Sequence, residues 1–81
     1  MNKILIVFLS ATSANKVKSV LERRYAIPSK IMQTPSAIGV TGCSYSLMIN
    51  EKYLHVAWEL VKSMDLTSKG VYRMDTHQKI L

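Results

Sequence analysis

The spacing of hydrophobic positions changes along the chain, and each change marks an element. Lys3 to Leu9 (KILIVFL) is an unbroken apolar run after the lysine, bounded by Ser10, Thr12 and Ser13, which is the pattern of a strand buried on both faces in the middle of a sheet. From Ala14 the apolar positions become Ala14, Val17, Val20, Leu21 and Tyr25, three and four apart, with Lys16, Lys18, Glu22 and Arg23 on the other side, so an amphipathic helix is expected. Ser10, Thr12 or Ser13 supplies its N-cap. Ile27-Pro28 stops it, Ser29 to Gln33 (SKIMQ) reads as a short second strand, and Ser44 to Ile49 as a third. Asn50 is the expected cap of a second helix with Glu51 in its first turn and an apolar face at Tyr53, Leu54, Val56, Ala57, Leu60, Val61 and Met64. A turn over Asp65 to Ser68 and Lys69-Gly70 lead into a fourth strand, Val71 to Met74, while Asp75 to Leu81 reads as a polar tail with no packing pattern of its own.

Strand, helix, strand, strand, helix, strand is the order of a ferredoxin-like α+β sandwich, with one antiparallel sheet in the order four-one-three-two. The expected organisation is a single domain over residues 1–74 followed by the tail, 75–81. That topology brings the end of the second strand and the start of the third to the sheet edge where the first strand ends and the first helix begins. The turn from Asp65 to Gly70, carrying Lys69, belongs to the same edge. Because the first strand is apolar on both faces and two helices cover one, the other face is expected to be left bare within the chain, which suggests a homodimer.

Length and charge narrow the classes. At 81 residues and 48% hydrophobic content the chain supports one small two-layer core. The apolar run Ile4 to Leu9 is shorter than the ~7–15 residues of a signal-peptide core, and nothing approaches the ~20 apolar residues of a membrane span. A lone cysteine fits a reducing cytoplasm and allows no disulfide within the chain. Eleven Lys and Arg against five Asp and Glu give +6, which suits nucleic acid, an acidic partner or solubility alone.

The chemistry gathers in Thr34 to Met48 (TPSAIGVTGCSYSLM), where Cys43 stands among Gly39, Thr41, Gly42 and Ser44, and no acidic residue occurs between Glu22 and Glu51. Absence of nearby negative charge favours the thiolate, and the expected start of the first helix at Ser10 to Ser13 adds free N–H groups and the positive end of a dipole. Cys43 is therefore the candidate thiol, with Ser10, Thr12, Ser13, Gly42 and Ser44 as the groups that would bind its cargo. The alternative is a buried, inert cysteine. A Cys-His dyad is not expected, because His55 belongs to the second helix, at the opposite edge, and His77 to the tail. One cysteine and two distant histidines likewise make no metal set, so neither a metal, a cofactor nor an enzymatic activity is expected.

Most of residues 1–74 resembles the selenium/sulfur carrier family of small bacterial domains. The resemblance rests on the apolar first strand followed by Ser/Thr and a helix, on Thr34-Pro35, on Gly42-Cys43 ahead of Tyr45-Ser46-Leu47, and on Gly70-Val71-Tyr72-Arg73. Ser44 stands where that family's glycine usually follows the cysteine, and Gly42 precedes it instead. The resemblance implies that Cys43 holds sulfur or selenium during transfer between sulfur/selenium-handling partner proteins. Two other readings compete with it: a dimerising interaction or regulatory domain, and an RNA-binding module using Phe8 and Tyr45 as its base-stacking aromatics. The last is disfavoured by the missing Lys/Arg-Gly-Phe consensus, and nucleic acid is not expected as a partner.

Overall fold

The computed structural model describes residues 2–38 and 44–81. In chain order the elements are β1 (Lys3–Phe8), α1 (Ala11–Arg24), β2 (Lys30–Gln33), a 3-10 turn (Ser36–Ile38), β3 (Tyr45–Asn50), a second 3-10 turn (Glu51–Tyr53), α2 (Leu54–Ser63) and β4 (Ser68–Arg73). The four strands form one antiparallel sheet in the order β2-β3-β1-β4, the α+β ferredoxin-like arrangement that the hydrophobic spacing predicts. Each helix crosses over the strand that separates its two flanking strands.

Both helices pack on one face of the sheet. Ile4, Ile6 and Phe8 of β1, Leu47 and Ile49 of β3 and Val71 of β4 meet Ala14, Val17 and Leu21 of α1 and Ala57, Leu60 and Val61 of α2 in one core. These are alternate strand positions and helix positions three and four apart, so the two periodicities converge on one apolar volume. Trp58 and Tyr53 are half-buried against it, as packing residues.

Helix ends differ from expectation in detail. Ser10 is the residue that caps α1, accepting the Ser13 N–H at 3.2 Å, so the helix begins at Ala11, ahead of the first apolar position. α1 ends at Arg24, leaving Tyr25 48% exposed rather than on the apolar face. Ala26 then takes a positive φ of 53°, and the Ile27 N–H returns to the Leu21 carbonyl at 3.0 Å, which turns the chain toward β2. Asn50 caps as expected, its side chain accepting from the Lys52 N–H at 3.1 Å, but the first turn is 3-10 and α2 proper starts at Leu54. α2 closes with paired bonds from Leu66 N–H to the Val61 carbonyl and Asp65 N–H to the Lys62 carbonyl, with Asp65 at φ 55° in the position glycine usually takes. Among the described residues no helix is long and apolar enough to cross a membrane.

Three expectations are corrected. Leu9 is 49% exposed, and β1 stops at Phe8. The face of β1 away from the helices is not bare: Leu5 and Val7 are fully buried. Leu5 lies between Met48 and Tyr72, whose long side chains can close over it, and Val7 lies between Ser46 and Gly70. Finally, residues 75–81 are not without packing. The chain turns at 74–76 and comes back along β4, with Lys79 bridged to Tyr72. The Arg73 N–H donates to the Gln78 carbonyl at 2.9 Å, the Val71 N–H to the Leu81 carbonyl at 3.1 Å, and the Ile80 N–H to the Val71 carbonyl at 2.7 Å. Ile80 packs against the core. The β4 edge is thereby covered by the chain itself. Gly70, at φ 122°, makes the approach possible: a Cβ there would stand 3.0 Å from the Leu81 carbonyl oxygen and 3.1 Å from the Lys79 Cε.

Candidate functional site

Register fixes which chain ends meet. Phe8 pairs with Tyr45, Gln33 pairs with Tyr45 from the other side, and Phe8 pairs with Ser68. The C-terminus of β1, the start of α1, the C-terminus of β2, the N-terminus of β3 and the turn before β4 therefore share one end of the sheet. Sequence topology predicts that convergence, and the described residues carry it out. Lys69, exposed, lies at the same end in an irregularity of the β1–β4 pairing between Val7 and Phe8.

The predicted site residues divide. Cys43 and Gly42, together with Gly39, lie outside the described residues. Ser44, which follows Cys43 in the chain, is 6% exposed, and its carbonyl accepts the Thr34 N–H at 3.3 Å. Ser10 and Ser13 bind one another: Ser10 Oγ accepts the Ser13 N–H and donates to Ser13 Oγ, both at 3.2 Å. Thr12 is exposed in the first turn of α1, a turn with no acidic residue. That turn presents its dipole without an internal carboxylate to neutralise it, at the end of the sheet that Ser44 occupies.

Sequence reasoning missed a hydroxyl pair at this end. Thr34 Oγ1 and Ser46 Oγ are 2.8 Å apart, and Ser46 is fully buried. The signal was present as small hydroxyl residues at alternate positions, Ser44 and Ser46, between the larger Tyr45 and Leu47, but twelve residues separate Thr34 from its partner. Ser68 adds a third hydroxyl, donating to the Val7 carbonyl at 3.0 Å and accepting the Gly70 N–H at 3.1 Å.

The same register separates the histidines from this end. Lys3 pairs with Asn50, and the Glu51 N–H donates to the Asn2 carbonyl at 2.9 Å, so α2 and its exposed His55 begin at the opposite end of the sheet. The RNA reading fares no better, because Phe8 is fully buried in the helix-side core and Tyr45 packs against that core. Neither ring stands on the face where bases would stack.

An apolar β1, a serine-capped α1 at the sheet end shared with Ser44, and an antiparallel four-stranded sheet covered on one face by two helices define a small ferredoxin-like α+β domain. Comparison with known families agrees: the family described as "Putative Se/S carrier protein-like" matches residues 3–73, and the chain belongs to it. Neither the curated proteins nor the solved structures yielded a match.

Proposed function

We propose that the protein is a sulfur or selenium carrier that holds the atom on Cys43 and passes it between partner proteins without itself catalysing a reaction. The observation that carries this reading is membership of the carrier-like family over residues 3–73, a span that includes position 43. It is supported by the end of the sheet to which Ser44 belongs, where Ser10 caps α1 and no carboxylate occupies the first turn. A positive helix end and a net charge of +6 both favour a thiolate over a thiol.

The loading step needs only that thiolate and a donor persulfide, R–S–SH. Cys43 sulfur attacks the outer, sulfane sulfur of the donor. A new S–S bond forms, the donor's S–S bond breaks, and R–S⁻ leaves with the bonding pair, giving Cys43–S–SH. The Cys43 sulfur is oxidised to the persulfide level as the donor thiol is released in reduced form, so no external oxidant is required. Unloading is the same displacement by an acceptor thiolate.

The test is to incubate the reduced protein with a small-molecule persulfide and follow its mass. A gain of one sulfur atom that dithiothreitol reverses, present in the wild type and absent in Cys43→Ser with an unchanged circular dichroism spectrum, is the expected result. Loading of Cys43→Ser to the wild-type extent, or no loading of the wild type, overturns the proposal. The same reading predicts that alkylation of Cys43 has an apparent pKa below the ordinary thiol value of about 8.5 and returns to it on unfolding.

A further inference from the structure

The face of the sheet turned away from the helices carries cations that form no ion pair among the described residues. Strand register puts Lys3, Leu5 and Val7 of β1, Ser46 and Met48 of β3, Lys30 and Met32 of β2, and Gly70 and Tyr72 of β4 on it. Lys79 joins them from the C-terminal segment, bridged to Tyr72 and with its Cε beside Gly70. No strand position of this face is acidic. The ion pairs among the described residues, Lys18–Glu22, Lys62–Glu59 and Arg73–Glu51, belong to the helical side, and none engages Lys3, Lys30 or Lys79.

We infer that this face is a docking surface for a protein partner whose contact region is acidic at the rim and apolar at the centre. Lys3, Lys30 and Lys79 form the rim. Lys3 and Lys30 flank a cleft of about 160 Å³ lined also by Met48, Pro28 and Ser29, in which a partner carboxylate can sit between two ammonium groups. Half-buried Met48, paired with Leu5 on the two inner strands, and half-buried Met32 and Tyr72 on the outer strands supply the apolar part of the face. Methionine adapts to irregular surfaces, and a tyrosine gives a rigid anchor at small entropic cost. Charge decides the occupant. A second copy of the chain, related by a two-fold axis through this face, would bring together two faces of the same sign of charge. Single-stranded RNA would find its phosphates matched but no aromatic ring on the two central strands to stack on. An acidic, apolar-centred protein surface meets both halves of the pattern, and it does so whether or not Cys43 carries sulfur.

The test uses isotope-labelled Cys43→Ser protein of all 81 residues, so that its outcome is separate from the fate of the carrier reading. Three titrations are compared by NMR: an amphipathic peptide of glutamate and leucine, oligouridine, and the protein against its own dilution. The peptide is expected to move the signals of Lys3, Lys30, Met48, Tyr72 and Lys79. Its affinity should fall about tenfold or more in Lys3→Glu/Lys30→Glu/Lys79→Glu and be unchanged within about twofold in Lys16→Glu/Arg23→Glu/Arg24→Glu, which alters charge equally on α1. The milder Lys3→Gln/Lys30→Gln/Lys79→Gln protein, checked for an unchanged circular dichroism spectrum, should weaken binding by an intermediate amount. Absence of peptide binding, equal losses in the two glutamate triples, shifts confined to the helices, binding of oligouridine alone, or dilution shifts mapping to this face would each overturn the proposal.

Discussion

β1 sends Ile4, Ile6 and Phe8 toward the helices and Leu5 and Val7 the other way, and all five side chains are fully buried. On the helix side the cover is two elements of secondary structure, whose side chains interlock with those of the sheet. On the other side Leu5 is flanked by the long, half-buried side chains of Met48 and Tyr72, and a short returning segment runs along β4. Equal burial can thus arise from a rigid lid or from pliable neighbours. The first kind suits stability. The second suits a surface that must adjust to a partner.

Truncating a leucine on each face sharpens that contrast. Leu47→Ala opens a cavity beneath the helices, where fixed backbones prevent collapse, and should cost at the upper end of the usual range, about 4–5 kcal/mol. Leu5→Ala leaves a gap that Met48 and Tyr72 can fill, and should cost nearer about 2–3 kcal/mol. Chemical denaturation of the two variants measures both. Equal costs would show that the far face is packed as rigidly as the core, and the contrast would be lost.

A smaller effect is expected from the buried hydroxyl pair. Thr34→Val preserves shape but leaves Ser46 Oγ buried without a partner, which should cost about 1–3 kcal/mol. Ser46→Ala leaves the orphan on half-buried Thr34, where water can reach it, so its cost should be the smaller of the two. The double variant should be less destabilised than the two losses added together. Reversal of the order would mean that Ser46, although buried, finds another partner when Thr34 is removed.

Residue spacing made the frame legible. The apolar run of β1, the three-and-four spacing of Ala14, Val17 and Leu21, and Asn50 before Glu51 each report burial or capping directly, and topology then fixed which end of the sheet Ser44, Ser10 and Ser68 share. What escaped was set by register and backbone. That Met48 and Tyr72 flank Leu5 is invisible until the strands are aligned. The return of residues 77–81 along β4 rests on main-chain bonds to Val71 and Arg73, which leave no mark on side-chain polarity beyond the apolar Ile80 and Leu81 at its end. The Thr34–Ser46 pair joins residues twelve apart across two strands. Cys43 is a candidate nucleophile on its acid-free sequence surroundings and the expected nearness of the α1 start, a statement of chemistry that lies outside the described residues.

The smallest effect tests the electrostatic side of the comparison. Arg73 on β4 donates to Glu51 Oε1 at 2.7 Å, tying the strand to the turn that opens α2, and both side chains are about one-third exposed, 36% and 31%. Glu51→Gln should cost only about 0.5–1 kcal/mol, because solvent screens the pair, and the difference from wild type should shrink further in high salt. The substitution also removes one of five acidic residues from a chain already at +6, and it removes it from the helical side, so the lysines of the sheet face keep their surroundings. Binding of the acidic peptide should consequently be unaltered in Glu51→Gln at moderate salt, while thermal stability falls slightly. If instead peptide affinity rises in step with net charge, the attraction belongs to the molecule as a whole. The distinction between a helical face that stabilises and a sheet face that recognises would then fail on its electrostatic half.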